Sequence, residues 1–157
     1  MAATQSTQYA AMLAAEGNYQ NASSTEGTQV SGSVHFARVD VVTEADNAAS
    51  DVITLLELPP GAIVLPELCK IIVTDDMTSG ACTIDIGDAA DPDRYADGAN
   101  CAAVGVVDFL TSAIPAGFTT RYPIPAGDNQ LITATFATLA ATIEAGAFSV
   151  IIGYKTL

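Results

Sequence analysis

Four aspartates, Asp88, Asp91, Asp93 and Asp97, fall within ten residues of one another. A ring of carboxylates is what a hard cation such as calcium needs, since it takes about six to eight oxygen ligands. The stretch from Asp88 to Asn100 does not follow the order of a calcium loop, in which Asp, Asn and Gly precede a terminal Glu. Asp and Pro are equally the residues of a solvated turn, where the carboxylate bonds its own neighbouring backbone. A structural loop is the expected reading, with Arg94 offsetting a neighbouring aspartate and Tyr95 folding its ring back over the end of the domain; calcium is the alternative. His35 is the only histidine. Any Ser-His-Asp or Cys-His nucleophilic arrangement would have to use it, and it stands beside no obvious partner. Zinc chemistry wants several His or thiolate ligands at motif spacing, and these are missing from the sequence. So are a Gly-Lys-Ser/Thr phosphate loop, a dinucleotide fingerprint and a nucleophile elbow. The sequence points to no enzyme and calls for no cofactor.

Cys69, Cys82 and Cys101 are odd in number and show no Cys-x-x-Cys spacing. Such thiols are expected to be buried and free, behaving as small hydrophobes. The formal net charge of -13 argues against nucleic acid, whose phosphates need Lys and Arg to displace their counterions. It equally disfavours an anionic membrane surface and favours solubility. The five basic residues, Arg38, Lys70, Arg94, Arg121 and Lys155, are scattered along the chain. No apolar run approaches the roughly 20 residues that span a bilayer. The opening MAATQSTQYA has neither a charged nor an apolar signal region, so no secretory signal is expected.

The elements that must position these residues are strands. Ala81 to Gly87 alternates, with Cys82, Ile84 and Ile86 on one face, the pattern of a strand with one side buried. Phe148, Val150, Ile152 and Tyr154 alternate likewise, as do Ile132 and Phe136 against Leu131, Thr133 and Thr135. Val34 to Thr43 switches apolar phase midway, which predicts a bulge or burial on both faces. Val52 to Leu58 is apolar on both faces and predicts a central or interface strand. Ile63 to Val73 is a β-rich run crossed by Pro66, and Cys101 to Ser112 and Phe118 to Ile124 are further candidates. Gly127, Asp128 and Asn129 mark a tight turn. About eight short strands with no intervening helical period predict an all-β, jelly-roll-like sandwich over residues 34–157. Residues 1–33 differ in kind, being rich in Ala, Gln, Ser, Thr and Asn. Within them Tyr9, Met12, Leu13 and Glu16 fall at helical spacing ahead of Gly17, a C-cap signal. A short helix on an extended arm is expected there, and a helix of about ten residues needs a surface to dock on. The arm is either a free tail or a segment that orders against a neighbouring subunit, with Tyr9, Met12 and Leu13 as its anchors.

The order Leu58-Pro59-Pro60-Gly61-Ala62-Ile63-Val64-Leu65, the strand pair after it, and Ile84-Asp85-Ile86-Gly87-Asp88 running into Asp91-Pro92-Asp93-Arg94-Tyr95 and Asp97-Gly98-Ala99 resemble small head decoration (cement) proteins of tailed bacteriophages. Asn129 to Thr135 and the closing strand to Tyr154 are similar to the C-terminal half of that family. The resemblance covers residues 34–157. It implies a jelly-roll protein without catalysis that sits on the capsid exterior of a virion. There it would contact the major capsid protein and tie coat subunits together, often as a homo-oligomer, a dimer or trimer. The alternative is a tail or fibre module that binds host glycan through exposed aromatic and polar side chains, for which Tyr95, Phe118, Arg121 and Tyr122 are the candidates.

Overall fold

The computed structural model describes residues 33–43, 47–77, 80–111, 115, 123–124, 130–139 and 145–156. The arm with Tyr9, Met12 and Leu13 lies outside them, as do the turn at Gly127 to Asn129 and most of the Phe118 to Ile124 candidate. The strands are β1 (Val34–Val42), β2 (Val52–Leu58), β3 (Ile63–Val64), β4 (Lys70–Asp75), β5 (Cys82–Asp88), β6 (Asp91–Asn100), β7 (Gly105–Asp108), β8 (Gln130–Leu139) and β9 (Ala147–Lys155). They form two antiparallel sheets, ordered β1-β9-β4-β7, with β3 also on β9, and β2-β8-β5-β6.

The pairs β1–β9, β2–β8, β4–β7 and β5–β6 nest like one long hairpin folded over itself. That nesting is a jelly roll, an eight-stranded double sheet. Among the described residues the strands number eight in this sense, because β3 and β4 are one strand interrupted. Ile63 and Val64 pair with Lys155 and Tyr154 of β9, and the Leu65 N–H donates to the Gly153 carbonyl at 2.8 Å. Pro66, which has no N–H to give, then opens a one-turn 3-10 helix, Pro66–Leu68. Lys70 resumes the pairing opposite Ile151.

Period-two burial builds the core between the sheets. Ile84 and Ile86 of β5, Ile132 and Phe136 of β8, and Phe148, Val150 and Ile152 of β9 are all buried. Ile124 is buried too, and Pro123 bridges to Ile63. Among the described residues no helix is long and apolar enough to cross a membrane.

Four expectations need correction. Asp91 to Asn100 is a strand, not a loop: β6 is an edge, where Pro92 gives up no ladder bond, and Ala96 and Ala99 supply its buried face. Among the described residues Val52 to Leu58 pairs with β8 alone, as an edge strand and not a central one. A register shift between Thr54 and Leu56 turns Leu55 inward as well as Leu58, which accounts for part of the apolar run. In β1 the phase switch marks no bulge, because the pairing with β9 is unbroken from Val34 to Val42. Val34 and Phe36 instead lie on the outer face, 47% and 62% exposed. Of Cys101 to Ser112, only Gly105–Asp108 pairs as a strand.

Candidate functional site

The acidic hairpin is built around Asp88. Its carboxylate, 4% exposed, accepts the Ala90 N–H at 2.9 Å and the Asp91 N–H at 3.1 Å, closing the turn between β5 and β6. The Arg94 Nε donates to its other oxygen at 2.7 Å, and a second guanidinium nitrogen reaches Oδ1 at 3.4 Å. Arg94 can make this pair because β6 bulges: Ile86 faces Ala96 and Asp88 faces Asp91, so five steps of β6 span two of β5. The bulged backbone at Asp91 and Pro92 closes directly over Gly87, where a Cβ would overlap main-chain atoms. A second irregularity, between Ile84 and Ile86, carries Gly98 at φ +65°, and the Gly98 N–H donates to Asp85 Oδ1 at 2.7 Å.

The Asp88 carboxylate serves this hairpin as a structural group. Both oxygens of Asp88 are occupied by donors of its own hairpin, so the carboxylate is not presented to a cation. Asp91 is held above the usual carboxylate range by a hydrogen bond with Asp93, then by burial, with Arg94 opposing. Among the described residues no three His, Cys, Asp or Glu side chains group as metal ligands do. Tyr95 is 2% exposed, its hydroxyl pushed up by burial and then by the nearby Asp88 charge. It is part of the core and offers no exposed ring to a sugar. Phe118, Arg121 and Tyr122 lie outside the described residues.

The three cysteines are free and buried, as their surroundings in the sequence suggest. Burial pushes Cys69 and Cys101 each up to about 12, and raises Cys82 as well. The Cys69 thiol is also a structural bond-maker, donating to the Leu65 carbonyl at 3.1 Å and accepting the Gly153 N–H at 3.2 Å. Thiols held this far above neutrality are poor nucleophiles. His35 stacks against Tyr154, ring centroids 5.4 Å apart, at the end of β1. Neither residue type forms a nucleophile-and-base pair among the described residues.

The two outer faces differ in kind. On the β2-β8-β5-β6 sheet, Asp85 and the 59% exposed Val52 flank Thr135, Gly87 faces Thr133, and Leu131 is 47% exposed, so hydroxyls and a carboxylate share that surface with a valine and a leucine. On the β1-β9-β4-β7 sheet the outward row Arg38–Ile151–Lys70–Asp108 mixes both signs with an aliphatic chain. The next row, Asp40–Ser149–Ile72–Val106, ends on a 61% exposed valine. Phe36 lies opposite Gly153, and a Cβ there would meet both the Leu68 Cβ at 2.8 Å and the Phe36 ring at 3.2 Å. The bare glycine thus lets an aromatic and a leucine close over the strand from either side. Arg38 Nε donates to Asp40 at 2.8 Å, and Ser149 joins them. This face went unread in the sequence. Its signal was there: Val34, Phe36, Arg38, Asp40 and Val42 share one parity, out of phase with the half-buried Val39 and the buried Val41.

The jelly roll is shared with solved phage capsids. A chain of the cyanophage Pam1 capsid asymmetric unit superposes with a TM-score of 0.60 at 22% identity, over 80% of this chain and 86% of that one. A chain of the capsid of Ralstonia phage GP4 matches with a TM-score of 0.60 at 22% identity, over 80% of this chain and 85% of that one. No family model matches, and no curated protein does either.

Proposed function

We propose that this chain is a non-enzymatic structural component of a tailed-phage head. It binds the outer surface of the assembled shell as a decoration or cement protein and bridges neighbouring coat subunits. The observation that carries the reading is the jelly roll that four-fifths of the chain shares with chains of two phage capsids. The site chemistry supports it from the other side: the carboxylates close their own hairpin, and the thiols are sealed in the core. The strongly negative body suits a surface facing solution rather than packaged DNA.

The mechanism is mass action. A protein that binds the assembled lattice and not its free subunits stabilises the lattice by RT ln(1 + [L]/Kd) at each site. Many modest sites on a symmetric shell together resist the pressure of packaged DNA. Residues 1–33 are the lateral tether in this reading, with Tyr9, Met12 and Leu13 packing on the coat protein as the arm orders. The test is co-sedimentation of the purified chain with heads that lack it. Saturable binding at a fixed number of copies per shell is expected, weakened at least about tenfold by truncation of residues 1–33. Undiminished binding of the truncated chain would remove the arm from the mechanism, and no binding of either form would remove the function. The glycan-binding alternative is weakened by the burial of Tyr95.

A further inference from the structure

We infer that Cys82 and Cys101 form a redox site, a thiol pair that a low-molecular-weight disulfide oxidises to a cross-strand bridge between β5 and β6. The register makes the pair. Ile84 faces Ala99 and Thr83 faces Asn100, so the next step of the ladder sets Cys82 opposite Cys101. The Cys101 N–H closes that step by donating to the Cys82 carbonyl at 2.8 Å. Side chains alternate along a strand, so both cysteines share the inward face of Ile84 and Ala99, and all four are buried. Hydrogen-bonded partners in an antiparallel pair have Cα atoms about 5.5 Å apart. A disulfide spans about 4.4–6.8 Å between Cα atoms, so the bridge fits the strands as they lie. The two thiols also feel one another, the Cys82 charge adding to the rise that burial imposes on Cys101. Cys69 stands apart, its thiol bonded to Leu65 and Gly153 beside the other sheet.

The step balances with a disulfide RSSR, such as oxidised glutathione, as the oxidant. One cysteine thiolate attacks RSSR, forming a mixed disulfide and releasing one RS–. The second thiolate displaces the other RS–, and the two cysteine protons end on two RSH. Buried thiols resist this while the sheet is closed. The pair lies, however, at the open end of its hairpin. Cys82 is the first residue of β5 and Cys101 follows the last of β6, with Ala81, Ala103 and Val104 exposed around them. Local opening costs least at such ends, so closure is slow and follows the opening. The consequence falls on β6, an edge strand that pairs with β5 alone among the described residues. Asp88 and Arg94 already hold the turn end of the hairpin, and the disulfide ties the other. Such a pair stays reduced inside a cell and closes in an oxidising exterior. That timing rests on the proposed role in a released particle; the bond itself does not.

The test is prolonged incubation of the full, unmutated chain with oxidised glutathione in native buffer, against a parallel sample kept under reductant. Both are then denatured for thiol titration and digested with trypsin without reduction. Cleavage after Lys70, Arg94 and Arg121 puts Cys69, Cys82 and Cys101 on three different peptides, 39–70, 71–94 and 95–121. The reduced sample is expected to show three thiols, and the oxidised one a single thiol, with 71–94 joined to 95–121 and the intact mass lower by two hydrogens. Closing a loop of about 20 residues is expected to raise Tm by about 5 °C or more, a rise that dithiothreitol reverses. Cys82→Ser and Cys101→Ser each abolish the linked peptide and the rise. Three thiols surviving oxidation overturn the inference. So does a link that includes 39–70, a link between two chains on a non-reducing gel, or a joined pair that lowers Tm. None of these outcomes bears on whether the chain binds phage heads.

Discussion

Replacing Asp88 with alanine removes the acceptor of two backbone N–H groups and of the Arg94 guanidinium at one stroke. Breaking a buried ion pair from one side costs about 3–5 kcal/mol, because the abandoned charge stays desolvated. Arg94 keeps 14% of its side chain in water and has Asp91 at 4.0 Å as a fallback, which places the cost near the low end, about 3 kcal/mol. For a chain of this size that is a fall in Tm of about 6–12 °C. Asp88→Asn keeps an oxygen acceptor and loses less. The double variant Asp88→Ala/Arg94→Met recovers part of the loss, a coupling of about 1–2 kcal/mol, since no buried charge remains unmatched. Differential scanning calorimetry of the wild type, Asp88→Ala, Arg94→Met and the double variant gives the cycle. A change under about 2 °C for Asp88→Ala would refute the reasoning, and would mean that the hairpin is held by its backbone alone.

Three further outcomes follow from the same geometry. An Ellman-type assay on the native chain is expected to find almost no reactive thiol, and all three after denaturation, because burial raises Cys69, Cys82 and Cys101. Burial also raises Asp85, with its Gly98 bond opposing and Asp97 and Asp93 adding to the rise. The folded state therefore holds that proton more tightly than the unfolded one, so ionised Asp85 costs stability above its raised pKa, and the cost vanishes as pH falls through it. Asp85→Asn, which keeps an acceptor for Gly98, is expected to raise Tm at neutral pH, with the gain shrinking toward acid in a pH series of melts. Millimolar calcium is expected to leave Tm unchanged, whereas a site filled at about a hundred times its Kd would add about 2.7 kcal/mol.

Strand positions were legible wherever one face is buried and the other wet, as in β5, β8 and β9, because period two is then written into the residue types. The edges were harder. β6 looks like a loop because its bulge fills the sequence with Asp, Pro and Gly, and only Tyr95, Ala96 and Ala99 betray the buried side. Asp88 was visible as one of four carboxylates, but its choice as the buried member depends on a register between β5 and β6 that spacing alone does not state. The partition of Arg38, Lys70 and Lys155 onto one face was hidden for a related reason. They lie on three strands far apart in the chain, and only the nested pairing of the jelly roll brings them together.

Cryo-electron microscopy of the particle that carries this chain tests the central claim most directly. The account predicts a β-sandwich density at regular lattice positions on the outside of the head, in contact with more than one coat subunit. A head whose outer surface lacks that density, or a sandwich confined to the tail, would contradict it.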